Sequence, residues 1–200
     1  MLPFITTRTL SPDAAVSGGA QLRSATSPWM RTTWQTPLLP ELASEENSGI
    51  RLATKDEAQK VTEVILNSLS MDSAWNDSFV KVEQYLKDAV MRLFHQEEGF
   101  CLVIPKGNRF IAASLMESSS EAPIHLVSGP VVLTEYHNRG IGSRLLLASL
   151  AALRDRGLST VRGVTRSNTT AGRHLYAKFG GVSETIPFSS AVEVFVESKI

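Results

Sequence analysis

Residues 131–143 have the sequence VVLTEYHNRGIGS and pass from an apolar stretch through a polar turn into the start of a helix. The first turn of a helix presents backbone N–H groups without intrahelical partners, at the positive end of the helix dipole. Gly140 and Gly142 let another group approach that backbone, because glycine has no Cβ. The stretch therefore predicts an anion site suited to a pyrophosphate. Taken alone, it is also compatible with a tight turn whose glycines serve only packing.

Dinucleotide-binding proteins use a related loop, and this sequence departs from their pattern. Those folds place Gly-x-Gly-x-x-Gly directly after an early strand. Here position 145 is Leu, and no earlier strand carries such a motif. The loop therefore fits a phosphate site without matching the dinucleotide fingerprint.

Upstream of the loop, regular patterns begin at Gly49. Residues 54–57, TKDE, have the form of a capping box, which marks a helix start. Two amphipathic helices follow, with apolar residues three or four positions apart. These residues are Val61, Val64, Ile65 and Leu69 in the first helix, and Trp75, Phe79, Val82, Leu86, Val90 and Leu93 in the second. Composition predicts strands at residues 50–53, 100–104, 110–116 and 124–133, the last with a bulge at Gly129-Pro130.

Downstream of the loop, the pattern predicts a helix over residues 141–156, a strand over 159–165, a second helix and a final strand over 192–196. Asn168 or Thr169 caps the second helix, which ends at Gly180. The whole order predicts an α/β domain over residues 49–200, with a mixed sheet and helices on both faces.

Residues 1–48 differ from the rest, because they are rich in Ser, Thr and Pro and lack a sustained apolar period. Up to position 40 they carry three arginines and a single acidic residue. Two interpretations stay open, a disordered tail and an organellar transit segment. Trp29 and Trp34 could also dock on the domain or on a second subunit.

Composition excludes several functional classes. Twenty basic and twenty acidic side chains give a formal net charge of zero, so we expect no bulk attraction to nucleic acid or to an anionic membrane. The single cysteine, Cys101, lies in an apolar stretch and is predicted to be a buried thiol rather than a nucleophile. The four histidines lack ligand spacing, so we expect no metal site.

The expected location follows from what the sequence lacks. No apolar run reaches about twenty residues, and no secretory signal is recognisable. We therefore expect a cytoplasmic protein, or an organellar one if residues 1–48 act as a transit segment. Formal neutrality leaves a homodimer open.

A second motif, NTTAGRHLYAKFG at residues 168–180, follows the loop after one intervening strand. Together with HNRGIG at residues 137–142, it resembles the GNAT acetyltransferase superfamily. That family carries an Arg/Gln-x-x-Gly-x-Gly/Ala loop, then an Asn, an Ala and Leu-Tyr-x-Lys-x-Gly-Phe. The resemblance covers about residues 50–198 and implies a mostly antiparallel sheet with a splayed strand at the cofactor site. Two departures are His137, where Arg or Gln is usual, and Gly181, where Phe is usual and whose lack of a side chain could loosen the last helix.

The resemblance implies that acetyl-CoA binds at this loop as co-substrate. The backbone of the splayed strand would pair with the pantetheine arm, and backbone N–H groups after it would hold the pyrophosphate. The strand residues are Val131, Val132 and Leu133, and the loop residues are Arg139, Gly140, Ile141, Gly142 and Ser143. The side chain of His137 could donate there, with less reach than an arginine.

Three further side chains are implicated by the same resemblance. Arg139 and Arg144 could add positive charge to the phosphates, or they could be ordinary solvated arginines. Asn168 would touch the pantetheine, cap the following helix, or do both.

Tyr176 is the residue that the resemblance places at the thioester sulfur. A departing thiolate needs a proton or a hydrogen bond, and a phenol can supply one. The alternative is a core aromatic residue whose hydroxyl is satisfied elsewhere.

The general base is less defined. His125 and Glu117 lie at the ends of strands near the expected acceptor cleft, and each could instead be structural. The proton could also leave through water. Four acidic residues could favour a cationic amine or simply be solvated: Asp72, Asp77, Glu117 and Glu121.

Two functional classes follow. The first is an N-acetyltransferase that moves an acetyl group from acetyl-CoA to a primary amine, either on a small molecule or on a protein, by direct attack. The second is a non-catalytic acyl-CoA-binding or protein-interaction module on the same fold. Turnover of an amine distinguishes the two.

Overall fold

The structure, a computed structural model, describes residues 28–38, 49–187 and 189–191. Within them, seven strands form one sheet. The strands are β1 (Trp29–Gln35), β2 (Arg51–Leu52), β3 (Gly99–Lys106), β4 (Arg109–Glu117), β5 (Leu126–Val132), β6 (Thr160–Arg166) and β7 (Val182–Ile186). The helices are α1 (Ala58–Ser70), α2 (Phe79–Leu93), α3 (Ile141–Asp155) and the short α4 (Tyr176–Lys178), which continues a π-helical turn (Ala171–Leu175).

The order of strands across the sheet is β2-β3-β4-β5-β6-β1-β7. Neighbouring strands are antiparallel except β5 and β6, which are parallel and whose ladder contains the single pair Leu126 and Gly163. The prediction of a mixed, mostly antiparallel sheet with helices on both faces is therefore confirmed. Because β5 and β6 pair at one end only, the edge of β5 that faces β6 is open along the rest of its length.

Two apolar layers hold the helices to the sheet. The helical periodicity seen in the sequence is confirmed, because the predicted apolar positions of α1 and of α2 face one layer. Helix α3 packs on the opposite face through four leucines that are fully buried: Leu145, Leu146, Leu150 and Leu153. Cys101 lies in the first layer with 1% of its surface exposed, as predicted, and burial raises the pKa of its thiol to about 12.

The predicted bulge in β5 is present. The register with β4 passes from Leu115 opposite Gly129 to Met116 opposite Leu126, so two residues of β5 have no partner in the ladder. Gly129 has a φ of 63°, a left-handed conformation that favours glycine. The hydroxyl of Ser128 accepts a hydrogen bond from the backbone N–H of Leu115 at 3.0 Å. The bulge therefore replaces a ladder hydrogen bond with a side-chain one and bends the strand.

The prediction of a tail over residues 1–48 is corrected by β1. This strand lies between β6 and β7 and is antiparallel to both. Its two tryptophans, Trp29 and Trp34, are 3% and 0% exposed, so they are core residues of the sheet rather than part of a tail. Three of its first five residues are intermediate in exposure and two are buried, so the strand lacks the regular alternation by which it could have been predicted. The remainder of the predicted tail, residues 1–27 and 39–48, lies outside the described residues.

The C-terminal end also differs from expectation. Strand β7 was not predicted, because four of its five residues are exposed and it shows no apolar alternation. It is held by the backbone ladder with β1. The final strand predicted over residues 192–196 lies outside the described residues.

Gly181 is tightly enclosed, in contrast to the loosening that its lack of a side chain suggested. A Cβ atom at this position would lie 2.6 Å from Cγ2 of Thr32, 2.7 Å from the backbone oxygen of Tyr176 and 2.8 Å from Nε1 of Trp34. Strand β1 therefore occupies the space in which a larger residue would sit.

We predict that Gly181→Ala lowers the free energy of unfolding by about 1–3 kcal/mol, because the added methyl group forces β1 away from α4. Urea denaturation would measure the loss. Gly142→Ala is the matched control, because a Cβ there would meet its neighbours at 3.7 Å and 3.8 Å, which is ordinary contact. Equal stability of the Gly181→Ala protein and the wild type would contradict the close packing of β1 on this glycine.

Candidate active site

A cavity of about 260 Å³ lies where β5 and β6 diverge. Four parts of the chain line it: the end of α1 and the turn after it, the bulged half of β5, the loop before α3 with the first turn of that helix, and the segment from β6 to α4. Several of the residues that line it were predicted from the two sequence motifs. From β5 and the loop they include Val131, Val132, His137, Gly140, Ile141, Gly142 and Ser143, and from the last helix Tyr176.

The loop presents free donors to this cavity. Gly140 caps α3 in a left-handed conformation, with a φ of 74°, and the preceding Asn138 has a φ of 58°. The first hydrogen bond of the helix runs from the N–H of Arg144 to the oxygen of Gly140 at 3.1 Å. The N–H groups of residues 141–143 precede that bond and have no carbonyl within the helix to accept from them. Since all three residues line the cavity, the helix terminus offers it an anion site.

His137 fastens the loop to β5. Its Nε2 lies 2.8 Å from the backbone oxygen of Val132, so the ring spans from the loop to the splayed strand. Leu133, the third predicted strand residue, is turned into the core and donates its N–H to Ile111 at 2.9 Å. Val131 and Val132 line the cavity, whereas Leu133 does not.

A group of cations surrounds Tyr136 beside the cavity. Lys106, Arg109 and Arg139 lie 4.7 Å, 5.9 Å and 5.4 Å from the centre of its ring. The Arg109 guanidinium lowers the pKa of the Tyr136 hydroxyl, to which it donates a hydrogen bond. Arg139 also donates to the backbone oxygen of Glu135 at 3.2 Å. Because Tyr136 itself lines the cavity, this basic cluster places positive charge beside it, offset in part by Glu135, which pairs with Arg109 at 3.1 Å.

Arg144 and Arg139 were predicted to touch phosphates. Neither side chain is part of the cavity wall. The guanidinium of Arg139 lies over the ring of Tyr136, which does line the cavity. Arg144 lies in the first turn of α3. Their roles stay predictions.

Tyr176 lines the cavity and lies against the bulge. Its side chain is 2% exposed and packs edge-to-face on Trp34, with 4.9 Å between ring centres. The hydroxyl oxygen approaches Gly129 so closely that a Cβ there would lie 2.6 Å from it. Burial raises the pKa of this hydroxyl above its usual range, so it keeps its proton at physiological pH. The hydroxyl is thus available as a donor where β5 is open.

The helix cap is resolved in favour of Thr169. Its hydroxyl accepts from the N–H of Gly172 at 3.0 Å and donates to the oxygen of Arg166 at 2.8 Å. Asn168 does not cap the helix, and its side-chain oxygen is buried without a hydrogen-bond partner in the described part of the chain. Thr169 lines the cavity and Asn168 lies next to it in sequence.

His125 lies away from the cavity wall, in the contact between β5 and β6. Its backbone N–H donates to the oxygen of Arg162 at 2.8 Å, and its Nδ1 accepts from the N–H of the same residue at 3.0 Å. Burial, and secondly the charge of Arg162, lowers the pKa of the imidazole to about 4. The neutral ring therefore acts in place of a backbone acceptor and ties the two strands together at the point from which they diverge.

Glu117 is also held elsewhere. Both guanidinium nitrogens of Arg92 lie 3.3–3.4 Å from one of its carboxylate oxygens, and Glu117 is absent from the cavity wall. Its role as a general base, like that of His125, stays a prediction that the geometry does not favour.

The sequence did not assign the part of the cavity wall beside α1. That wall comes from the end of α1 and the following turn, and from residues on either side of the splay: Ser68, Leu69, Asp72, Trp75, Ser128 and Thr165. From the sequence, Asp72 was named only as one of four acidic residues that could favour a cationic amine. The others carried no signal, because small polar residues with no motif around them are common in every fold.

Two features are absent from the described residues. No group of three or more His, Cys, Asp or Glu side chains is placed so as to hold a metal ion. None of the helices in residues 28–38, 49–187 and 189–191 combines the length and the apolar character needed to cross a bilayer.

Comparison with known proteins identifies the family of this chain. The profile of the acetyltransferase (GNAT) family matches residues 65–181, which include β5, the loop, α3 and Tyr176. No protein of curated function matches the sequence.

Solved structures share the fold. One, from Novosphingobium aromaticivorans and attributed to the GNAT acetyltransferases, superposes with a TM-score of 0.53 at 14% identity over 80% of this chain. Another, a conserved protein of unknown function from Staphylococcus epidermidis, superposes with a TM-score of 0.55 at 17% identity over 80% of this chain. The matched regions are 61% and 58% of those two chains, so this chain spans about three fifths of their length.

Proposed function

Because the chain belongs to the acetyltransferase (GNAT) family, we propose that it moves an acetyl group from acetyl-CoA to a primary amine by direct attack. The observation that carries the proposal is a single cavity in which an open strand edge, a helix N-terminus and a buried tyrosine hydroxyl meet. Each of the three matches a different part of a CoA thioester.

The helix terminus fits the pyrophosphate. The N–H groups of Ile141, Gly142 and Ser143 belong to residues that line the cavity. There is space beside this backbone, since a Cβ on Gly142 would have no neighbour nearer than 3.7 Å. A doubly charged group there would accept hydrogen bonds and lie at the positive end of α3. The basic cluster around Tyr136 adds positive charge beside the cavity.

The open edge of β5 fits the pantetheine arm, whose amides can pair with a strand in the manner of a neighbouring β-strand. Bulge and splay together produce this edge, because β6 leaves β5 after Leu126. The carbonyl of Val132 is already engaged by His137, so the free pairing positions lie nearer to the bulge.

The reaction itself needs orientation, stabilisation of the carbonyl oxygen as it gains charge, and a proton for the sulfur. Backbone N–H groups of the open β5 edge would serve the oxygen. The hydroxyl of Tyr176, at the bulge and protonated, would serve the sulfur as the carbon–sulfur bond breaks. Neither His125 nor Glu117 lines the cavity, so we propose that the amine loses its proton to water. The nitrogen then bonds to the acetyl carbon, and the CoA sulfur leaves with a proton from Tyr176.

Two measurements test the proposal. Calorimetric titration with acetyl-CoA is expected to give saturable binding, and a panel of primary amines is expected to include one that releases free CoA thiol in proportion to acetylated product. Binding without turnover of any amine would favour the alternative, a non-catalytic acyl-CoA-binding module. A folded protein that does not bind acetyl-CoA would reject both.

A further inference from the structure

The four acidic residues that could attract a cationic amine are in different environments. Asp77 forms two hydrogen bonds of 2.8 Å with the buried guanidinium of Arg166, and Glu117 pairs with Arg92. Glu121 is exposed and its carboxylate is contacted by Ser120 at 3.4 Å. Only Asp72, of these four, lines the cavity.

Asp72 is placed by the turn between α1 and α2. One carboxylate oxygen, Oδ1, accepts from the backbone N–H of Ala74 at 2.9 Å and so caps the 3-10 turn at residues 73–75. The other oxygen has no hydrogen bond or ion pair among the described residues. The cap fixes the side chain, so the second oxygen is held next to the cavity without extra ordering cost.

The formal charge on the cavity wall is negative only. Among the described residues that line the cavity, Asp72 is the sole carboxylate, and no lysine or arginine is present. The cationic groups lie outside the wall, around Tyr136 in the loop before α3. The part of the cavity beside that loop is therefore suited to an anion, and the part beside Asp72 to a cation.

A second polar group on the cavity wall has no partner. Ser68, in the last turn of α1, is 7% exposed and lines the cavity, and its hydroxyl has no hydrogen-bond partner in the part of the chain that is described. A buried hydroxyl without a partner is costly unless a ligand or water satisfies it. Beside it, Leu69 and Trp75 form an apolar wall and are 6% and 8% exposed.

We propose that Asp72 and Ser68 bind the ammonium group of the acceptor, and that the acceptor is a small cationic amine whose carbon chain lies against Trp75. This proposal rests on the proposed function and names its substrate class. An ammonium group has three donors and no acceptor, which matches a carboxylate oxygen and a hydroxyl oxygen on one wall. After binding, the ammonium group loses one proton to water, and the neutral nitrogen then attacks the thioester carbon. The cavity, at about 260 Å³, has room for the ammonium group and a short carbon chain beside it.

The test is Asp72→Asn, which removes the charge and keeps an oxygen that can cap Ala74. The protein would be saturated with CoA. NMR titration would then compare its affinity for butylammonium with its affinity for butanol, the neutral isostere. We expect the wild type to prefer butylammonium to butanol by about tenfold or more, and the variant to lose that preference while its affinity for butanol is unchanged. Glu121→Gln, an acid outside the cavity, is the matched control and should behave as the wild type does.

Steady-state kinetics give a second readout. With any amine that the wild type acetylates, Asp72→Asn should raise the KM for the amine by roughly ten- to a hundredfold and leave the KM for acetyl-CoA unchanged. An unchanged amine KM, or a wild type that binds butylammonium no better than butanol, would overturn the assignment. A charge-dependent preference without turnover of any amine would sustain this site and reject the proposed reaction.

Discussion

Gly142→Glu is expected to abolish binding of acetyl-CoA, with a loss of affinity of about a hundredfold or more. The residue lies in the first turn of α3 and lines the cavity, where its N–H belongs to the predicted pyrophosphate site. A glutamate there places a negative charge against a negative ligand, and such juxtaposition costs several kcal/mol. Calorimetric titration with acetyl-CoA measures the effect directly.

Gly142→Ala is the control that shows whether Gly142→Glu loses affinity through the charge and size of the glutamate or through damage to the helix. Its methyl group would meet Leu175 at 3.7 Å and Val132 at 3.8 Å, which are ordinary distances, and alanine favours a helix more than glycine does. We expect this variant to be at least as stable as the wild type and to bind acetyl-CoA within a few-fold of it. Wild-type affinity in a folded Gly142→Glu protein would show that the pyrophosphate lies elsewhere.

Tyr176→Phe is expected to lower kcat by about a hundredfold, because the leaving sulfur loses its proton donor. The ring remains, so its edge-to-face contact with Trp34 at 4.9 Å and the fit of α4 against β1 should persist. The affinity for acetyl-CoA should therefore change little. Stopped-flow or steady-state assay of thiol release, with a saturating amine, measures the effect.

The pH profile adds a check on the same residue. Burial raises the pKa of the Tyr176 hydroxyl above its ordinary value near 10, so the wild-type rate should show no loss from tyrosine ionisation up to at least that pH. If Tyr176→Phe retained the wild-type kcat, the residue would be a core aromatic only, and the proton would have to come from water or another group.

Local pattern was sufficient for much of this fold. Helices α1, α2 and α3 and strands β3, β4, β5 and β6 carry their own period of apolar residues, so each could be predicted from a short window. The loop before α3 could be predicted for the same reason, since both its glycines and its helix start are local features. Its predicted contacts with a ligand follow from backbone chemistry and need no knowledge of distant residues.

The elements that escaped prediction depend on remote partners. Strand β1 has polar residues between Trp29 and Trp34 and becomes a strand because β6 and β7 flank it. Strand β7 is exposed over most of its length and exists through its ladder with β1. Gly181 looked like a loose position until β1 was seen to fill the space beside it.

The part of the cavity wall beside α1 escaped prediction for a related reason. Ser68 and Asp72 acquire meaning only because α1 ends beside the splay of β5 and β6, which brings them to the same wall as Thr165. His125 shows the converse, since a histidine near the expected cleft turned out to serve the strand contact with Arg162. Residue type suggested the chemistry of Asp72 and His125 but not of Ser68, and only the packing of distant segments decided the location of all three.

The position of β1 also bears on how the chain is made. Trp29–Gln35 leaves the ribosome before its partners on β6 and β7, which are translated more than a hundred residues later. At the usual rates of synthesis the segment waits on the order of ten seconds before it can pair. During that interval the two tryptophans that are buried in the folded protein lack the sheet that covers them. We therefore expect nascent-chain chaperones to bind this apolar stretch of the growing polypeptide.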